Sequence, residues 1–174
     1  MEKLEKQPCP MCHKNTLTLT EAELDIPYFD KVFVFSMNCS SCSFKKSDIE
    51  AAERHEPCKC TIETTSEDDM KIRVVRSSEA TVKIPTLRMS STPGPASVGQ
   101  ITNIEGIINT FESIVESQRD EAEEPSAKKT AKNLLKKIRK VKYGDIPCKI
   151  VIEDPSGNSA IVSEKVVKEK LKVK

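Results

Sequence analysis

The sequence predicts a mostly β protein in two units, with a helical hairpin inserted into the larger, C-terminal unit. Three observations support this fold class. Two Cys-x-x-Cys pairs lie within the first fifty residues, and short alternating apolar runs follow from about residue 56. One stretch, at about 102–142, instead repeats its apolar residues with helical spacing. We therefore expect a cysteine-rich unit at 1–50 and a β-rich unit at 56–174.

The composition indicates a folded protein with a modest core. Of the 174 residues, 37% are hydrophobic and 32% are charged, and the net charge is +1. So small a net charge gives no overall attraction to nucleic acid or to an anionic membrane. The N-terminus lacks the apolar segment of a signal peptide, and no apolar run approaches the roughly 20 residues that span a bilayer. We expect a cytoplasmic protein.

Two runs between the cysteine pairs have the β-branched and aromatic composition of strands. They are TLTLT (16–20) and KVFVFSM (31–37), with Pro27 near the bend between them. Five of the seven aromatic residues of the chain lie in this unit. A unit of fifty residues has little area to bury, so these side chains serve either as its core or as a surface for a partner.

The four cysteines of this unit follow the pattern Cys9-x2-Cys12-x26-Cys39-x2-Cys42. Each Cys-x-x-Cys turn directs two thiolates to one point, and zinc favours four such ligands in a tetrahedron. The pattern predicts a zinc ribbon, and a closed shell of four thiolates makes its single zinc ion structural. An iron–sulfur centre uses the same ligands, so the spacing alone leaves the metal open between zinc and iron.

Other interpretations of the first pair explain less of the sequence. Cys9-x-x-Cys12-His13 matches the attachment motif of a c-type haem, but haem would leave the second pair without a role and would require export. A redox dithiol needs no second pair either. We expect His13 not to bind the metal. His13 and Ser43 stand where ribbons often have glycine, because the backbone there is left-handed, so we expect a small strain at both positions.

The remaining cysteines are predicted to be structural. Cys58 and Cys60, near His55, supply only two thiolates for a second metal site, and we expect buried or half-exposed free thiols there. Cys148 is predicted to be a core residue at the start of a strand.

The second unit begins with short strands at 70–90 and a loop at 91–100. Thr102-Asn-Ile-Glu105 fits the capping-box pattern at the start of a helix. The last residues of this helix are acidic, and Pro125 is predicted to end it. Ser126 is predicted to cap a second, basic helix at roughly 127–142. We expect the oppositely charged helices to pair as an antiparallel hairpin. A strand at 148–154, a turn at 155–158, a strand at 159–163 and a short helix in the Lys-rich tail complete the prediction.

Several segments together resemble one known family. They are the two cysteine pairs with Phe44, Ile26-Pro-Tyr-Phe29, Asp69–Ser78, Ala80–Pro85, and above all the strings GPASVGQITNIEG (94–106) and EDPSGNS (153–159). The chain resembles the ZPR-type zinc-finger proteins, in particular their single-module archaeal members, over nearly its whole length. Ser156 departs from the expected pattern, in which a larger apolar residue stands there.

The resemblance implies a zinc ribbon similar to that of translation initiation factor two beta, followed by a double-stranded β-helix domain that carries the hairpin. It also implies that the protein binds translation elongation factor one-alpha and helps it to fold. The candidate partner surfaces are the aromatic part of the ribbon and the loop that enters the first helix. We name as candidate contacts Tyr28, Phe29, Phe33, Gly99, Thr102 and Glu105.

Two other classes of function compete with this interpretation. Many zinc ribbons bind nucleic acid, but residues 1–50 hold six Lys and eight Asp or Glu, a net charge of −2, whereas a phosphate-binding surface needs a basic stripe. The basic helix at 127–142 is the stretch that could supply one. An enzyme is not expected, because the chain has no phosphate-binding loop, only two histidines and no nucleophile–base pattern.

Overall fold

The structure is a computed structural model, and it describes residues 1–26, 30–51 and 53–172. Three antiparallel sheets and two α-helices make up the described chain. The predicted fold class, mostly β with an inserted helical hairpin, is confirmed. No helix in these ranges is long and apolar enough to cross a membrane.

The N-terminal unit is a four-stranded sheet in chain order. Its strands are β1 (Glu2–Gln7), β2 (Leu17–Ile26), β3 (Asp30–Cys39) and β4 (Lys45–Ala51). The sequence predicted β2 and β3 but neither outer strand, because β1 and β4 are mostly charged and exposed and show little apolar alternation. Pro27, expected near the bend, lies outside the described residues.

The second unit has two sheets that share one core. Its strands are β5 (Cys58–Thr64), β6 (Arg73–Arg76), β7 (Thr81–Ile84), β8 (Met89–Ser91), β9 (Gln100–Asn103), β10 (Cys148–Asp154), β11 (Ala160–Ile161) and β12 (Val167–Lys170). One sheet has the order β12-β5-β10-β7-β8 and the other β11-β6-β9. Alternate residues of β5 and β10 are buried and pack with side chains of both helices, so one hydrophobic cluster joins sheets and hairpin.

The tail of the second unit is a strand and not the predicted helix. Val167 of β12 lies opposite Thr61 of β5, and Lys170 lies opposite Cys58. Lysine and glutamate favour a helix in isolation, but the open edge of β5 offers a row of backbone hydrogen bonds that outweighs so weak a preference.

The helical hairpin consists of α1 (Ile104–Glu121) and α2 (Pro125–Lys142). The predicted capping box is wrong by one residue, because Asn103 is the N-cap and its side-chain oxygen accepts from the Gly106 N–H at 2.7 Å. Thr102 belongs to β9 instead. Ser126 is not the cap of α2, which begins one residue earlier with Pro125 in the first turn, where a missing N–H costs nothing.

The two helices are held together by apolar contact more than by charge. Both bury a stripe toward the core, which includes Phe111 of α1 and Ile138 of α2. Within the described chain, one salt bridge joins the helices, between Lys142 and Glu112 at 2.7 Å. The predicted hairpin is confirmed, and most of its charges lie on outward-facing surfaces where water solvates them.

The two units touch along one seam. Val32 of β3 is fully buried against Val75 and Ala160 of the second unit. The Gly99 N–H, just before β9, donates to the Asp48 carboxylate of β4 at 2.9 Å. The seam thus combines a small apolar cluster with a hydrogen bond that fixes its register.

Candidate metal centre and interaction surfaces

The metal centre begins with two tight turns, each of which contains one cysteine pair. The His13 N–H donates to the Cys9 carbonyl at 2.9 Å, and the Ser43 N–H donates to the Cys39 carbonyl at 3.1 Å. His13 and Ser43 both have φ of +58°, the left-handed conformation that the sequence predicted at these positions. The strain of placing side-chain-bearing residues there is of order 1 kcal/mol each.

These turns bring the four thiols together. All four sulfur atoms lie within 4.8 Å of one another, and the Cys9–Cys42 and Cys12–Cys39 sulfurs are 3.7 Å apart. A tetrahedron with zinc–sulfur bonds of about 2.3 Å has edges of about 3.8 Å. The sulfurs therefore stand at the separations that one zinc ion requires, and the four cysteines are positioned to bind it.

The surroundings of the thiols suit a closed structural site. Cys9 and Cys39 are buried, and they pack with Leu17 in a small apolar cluster that Phe44 covers in part. The Thr16 hydroxyl lies 3.2 Å from the Cys39 sulfur, and this contact, with backbone N–H groups of the Cys39–Cys42 turn, lowers the pKa of that thiol and favours the thiolate that zinc binds. His13 is exposed and does not belong to the cluster of candidate ligands.

The three other cysteines are buried thiols, as predicted. Cys58 and Cys60 lie on the same face of β5, and their sulfurs lie 3.6 and 3.8 Å from the Ser159 carbonyl. Cys148 is fully buried at the first position of β10, and burial raises the pKa of its thiol to about 11. In the described chain these three take part in no cluster of candidate metal ligands.

The aromatic side chains of β3 lie on one face of the ribbon and are only partly buried by the described residues. Val32 and Val34 of β3 pack toward the second unit, so by alternation Phe33 and Phe35 point to the opposite face. Both phenylalanines are half-buried. Phe33 is therefore accessible, as a partner contact requires. The two neighbouring candidates, Tyr28 and Phe29, lie outside the described residues.

The candidates in the second unit occupy three different environments. Gly99 is buried at the seam, where an added Cβ would lie 2.0 Å from the Ile49 carbonyl oxygen. Gly99 therefore allows the close contact between the two units within this chain. Thr102 is half-buried on β9, and its hydroxyl oxygen would lie 2.1 Å from a Cβ added at Gly106. Glu105 is exposed in the first turn of α1, beside a cleft that Glu112 and Tyr143 also line.

One polar network was not recognised from the sequence, which indicated only a turn at 155–158. The Asp154 carboxylate is fully buried and accepts from the Ser156 N–H and hydroxyl at 2.8 and 2.7 Å and from the Ser159 hydroxyl. At the position where the family pattern has a larger apolar residue, the Ser156 hydroxyl thus adds a hydrogen bond to the Asp154 carboxylate that an apolar side chain could not make. Gly157 has φ of +73°, and a Cβ there would lie 2.4 Å from the Glu56 carbonyl oxygen. A run of small polar residues after a buried strand was the available signal.

Comparison with known proteins agrees with this architecture. The family model for the ZPR1 zinc-finger domain matches residues 1–57, and that for the ZPR1 jelly-roll domain matches residues 68–174. A ZPR1-like protein of Methanocaldococcus jannaschii is 38% identical over 170 residues, which cover 97% of this chain and 86% of the relative. A ZPR1-like protein of Pyrococcus horikoshii is 36% identical over 94% of this chain and 75% of its own length. The zinc finger chaperone zpr1 of Schizosaccharomyces pombe is 32% identical over 88% of this chain but only 33% of the yeast protein.

Proposed function

Because the chain belongs to the ZPR1 family of zinc-finger proteins, we propose that it is a protein-binding chaperone whose client is translation elongation factor one-alpha. The name of the fission-yeast relative supports the role of chaperone. The resemblance of the sequence to ZPR-type proteins supports the elongation factor as client. In this role the protein binds another chain and performs no catalysis, and its zinc ion shapes the binding surface.

The observation that carries this proposal is the uncovered aromatic face of the ribbon. Phe33 and Phe35 stand on the face of the sheet that does not pack against the second unit. Glu21 and Glu23 lie directly opposite them on β2, and Glu23 forms a salt bridge with Lys31 at 2.7 Å. Half-exposed aromatic side chains framed by carboxylates fit a client surface that has an apolar centre and basic surroundings, since aromatic residues contribute much of the energy of protein interfaces.

The experiment is a binding and refolding assay with the cognate elongation factor. We expect the full, zinc-loaded chain to retain the factor in a pull-down and to increase its refolding yield, in the presence of either GDP or GTP. The double variant F33S/F35S should lose at least about tenfold in affinity if both rings contact the client. Zinc content and melting temperature of the variant show whether its ribbon is still folded.

A matched control is Val167→Ser, which removes an exposed apolar side chain from β12, on the other unit. It should bind like the wild type. Failure of the wild-type chain to bind the factor in any nucleotide state would refute the proposed client. Binding that survives F33S/F35S unchanged would refute the aromatic surface while leaving the client in place.

A second candidate function, nucleic-acid binding, is supported by the outer face of α2. Six of its cations are exposed and form no salt bridge in the described chain: Lys128, Lys129, Lys132, Lys136, Arg139 and Lys140. At about 100° per residue they fall within an arc of about 120° along a helix of about 27 Å. This is a basic stripe of the kind that contacts phosphates.

The test of this alternative is the salt dependence of binding to transfer RNA. A phosphate-binding stripe predicts an affinity that falls steeply with salt and a slope that becomes shallower by about one for each contacting lysine removed. K132Q/K136Q should therefore reduce the slope. Lack of RNA binding at low salt would exclude this function, whereas retention of the elongation factor would be unaffected by that result.

A further inference from the structure

A small cleft lies between the two units, on a part of the surface that the proposed function does not use. Its walls come from β4, from the turn after β6 and from the loop after β10, and its volume is about 250 Å³. Sites for whole small molecules are usually larger, about 300–1,000 Å³. The size suits one side chain and its adjoining peptide groups better than a free metabolite.

Asn158 in this cleft is an unusual residue, because its side-chain oxygen is buried without a hydrogen-bond partner in the described chain. The residue is 8% exposed, and its side-chain oxygen is buried with no hydrogen-bond partner. An unpaired buried polar group destabilises a fold, because it has lost its hydrogen bonds to water without gaining others. An amide kept at such a cost in a cleft is suited to pair with the N–H and carbonyl groups of an incoming peptide.

Arg76 supplies a positive charge to the same cleft. It is half-buried at the end of β6, and burial lowers the pKa of its guanidinium. Its one hydrogen bond in the described chain is a long one, 3.4 Å, from Nη2 to the Val98 carbonyl. Its remaining donors have no carboxylate partner there. A desolvated guanidinium with free donors is the group that recognises a carboxylate through two parallel hydrogen bonds.

The other charges of the cleft leave Arg76 available. Glu79 forms a salt bridge with Arg54, so these two charges offset each other. Glu50 lies in the cleft wall with an exposed side chain, where water screens its charge. The Ser77 hydroxyl accepts from the Glu79 N–H and keeps its own proton for donation.

We propose that this cleft binds a carboxylate-bearing peptide segment, with Arg76 holding the carboxylate and Asn158 pairing with the adjacent peptide group. The carboxylate comes either from an acidic side chain or from a free C-terminus, and both have the chemistry that the cleft recognises. Because β4 of the ribbon forms one wall, the bound segment also contacts both units and strengthens their docking.

The experiment uses the full, zinc-loaded chain labelled with ¹⁵N and three short peptides. Acetyl-Gly-Glu-Gly-amide presents a side-chain carboxylate, acetyl-Gly-Gly-Gly presents a C-terminal carboxylate, and acetyl-Gly-Gln-Gly-amide is neutral. We expect one or both carboxylate peptides to shift the Asn158 side-chain amide and the Arg76 Nε–H signals in a saturable manner. The peptide that binds more tightly identifies the source of the carboxylate. The neutral peptide should bind at least about tenfold more weakly.

Four variants decide the assignment. Arg76→Gln should weaken carboxylate binding by at least about tenfold, whereas Arg73→Gln, which removes the same charge from an exposed position of the same strand, should change it less than twofold. Glu50→Gln should tighten binding by less than about twofold, because water screens this exposed like charge. Asn158→Leu, of similar shape, should lose binding without lowering the melting temperature, because no native hydrogen bond is broken.

The contrary results are equally definite. If no carboxylate peptide shifts the two signals, or if the neutral glutamine peptide binds as tightly as the better of the two carboxylate peptides, the proposal is wrong. Equal effects of Arg76→Gln and Arg73→Gln would also overturn it. A clear loss of thermal stability in Asn158→Leu would show that the amide has a structural partner, which contradicts the argument from Asn158.

Discussion

The seam between the two units can be tested with a single methyl group. In Gly99→Ala the added Cβ would stand 2.0 Å from the carbonyl oxygen of Ile49 and 3.0 Å from its carbonyl carbon. Both atoms belong to the backbone of β4, so no side-chain rotation relieves the contact. Gly99 does not have the positive φ that would itself exclude alanine. The effect of the substitution is therefore a matter of space alone.

The expected cost follows from what the contact would displace. Forcing a methyl group into a packed contact costs about 1–3 kcal/mol. Moving β9 away from β4 also lengthens the hydrogen bond from Gly99 to the Asp48 carboxylate, and such a charge-assisted bond contributes about 1.5–3 kcal/mol. We expect a loss of about 3 kcal/mol in the free energy of unfolding. For a chain of this size that lowers the melting temperature by about 6–12 °C.

The assay is thermal unfolding followed by circular dichroism, together with amide hydrogen exchange of β4 and β9. Gly94→Ala is a matched control in the same loop, because a Cβ at Gly94 would meet no atom within 4 Å. It should leave stability unchanged or raise it slightly. Gly99→Ala should also increase exchange at the seam while the metal centre stays protected.

An equal melting temperature for the two alanine variants would refute this account of the seam. If Gly99→Ala were as stable as the wild type but no longer bound the elongation factor, Gly99 would instead be a direct partner contact, as the sequence suggested.

Three further predictions concern the metal, the hairpin and acid stability. The purified protein should contain one zinc per chain by metal analysis. Cys39→Ser or a chelator should remove the zinc and unfold the ribbon, with loss of the near-ultraviolet circular dichroism signal, because zinc contributes about 10–16 kcal/mol to the folding of such sites. Zinc retained by Cys39→Ser would contradict the assignment of this ligand. Asn103→Ala should lower the free energy of unfolding, measured by chemical denaturation, by about 1 kcal/mol through loss of the helix cap, whereas Thr102→Ala leaves that cap intact. A larger loss in Thr102→Ala than in Asn103→Ala would show that Thr102 is the cap after all. Asp69 accepts from Lys165 Nζ at 2.7 Å and from backbone N–H groups, so its pKa falls from 3.8 to about 2. This pairing stabilises the fold by about 2 kcal/mol above pH 4, and the stabilisation is lost as the pH falls toward 2. Asp69→Asn should flatten that part of the plot of stability against pH, and an unchanged plot would show that the carboxylate is not paired.

The metal centre was the part of the protein most open to sequence reasoning. Ligand type and short local spacing decide it, and a Cys-x-x-Cys turn has one compact conformation that serves zinc. The left-handed backbone at His13 and Ser43 follows from the same local geometry. The apolar stripes of the two helices were predictable for a similar reason, because a 3.6-residue period is written in the chain itself.

The errors occurred where a neighbour outweighs local preference. The tail forms a strand because it pairs with the free edge of β5, and nothing in the sequence of the tail itself indicates that pairing. The N-cap of α1 is Asn103 and not Thr102, because β9 continues to Asn103 in register with β6.

The sequence by itself determined the class of fold, the four zinc ligands and the positions of the helices, since each of these depends on residues near one another in the chain. Only the tertiary structure decided what Gly99 and Asn158 do. Gly99 is a seam residue because β4, fifty positions earlier, places a carbonyl where a side chain would stand. The side-chain oxygen of Asn158 has no hydrogen-bond partner among the described residues, because distant segments pack around it, and local sequence does not encode that packing.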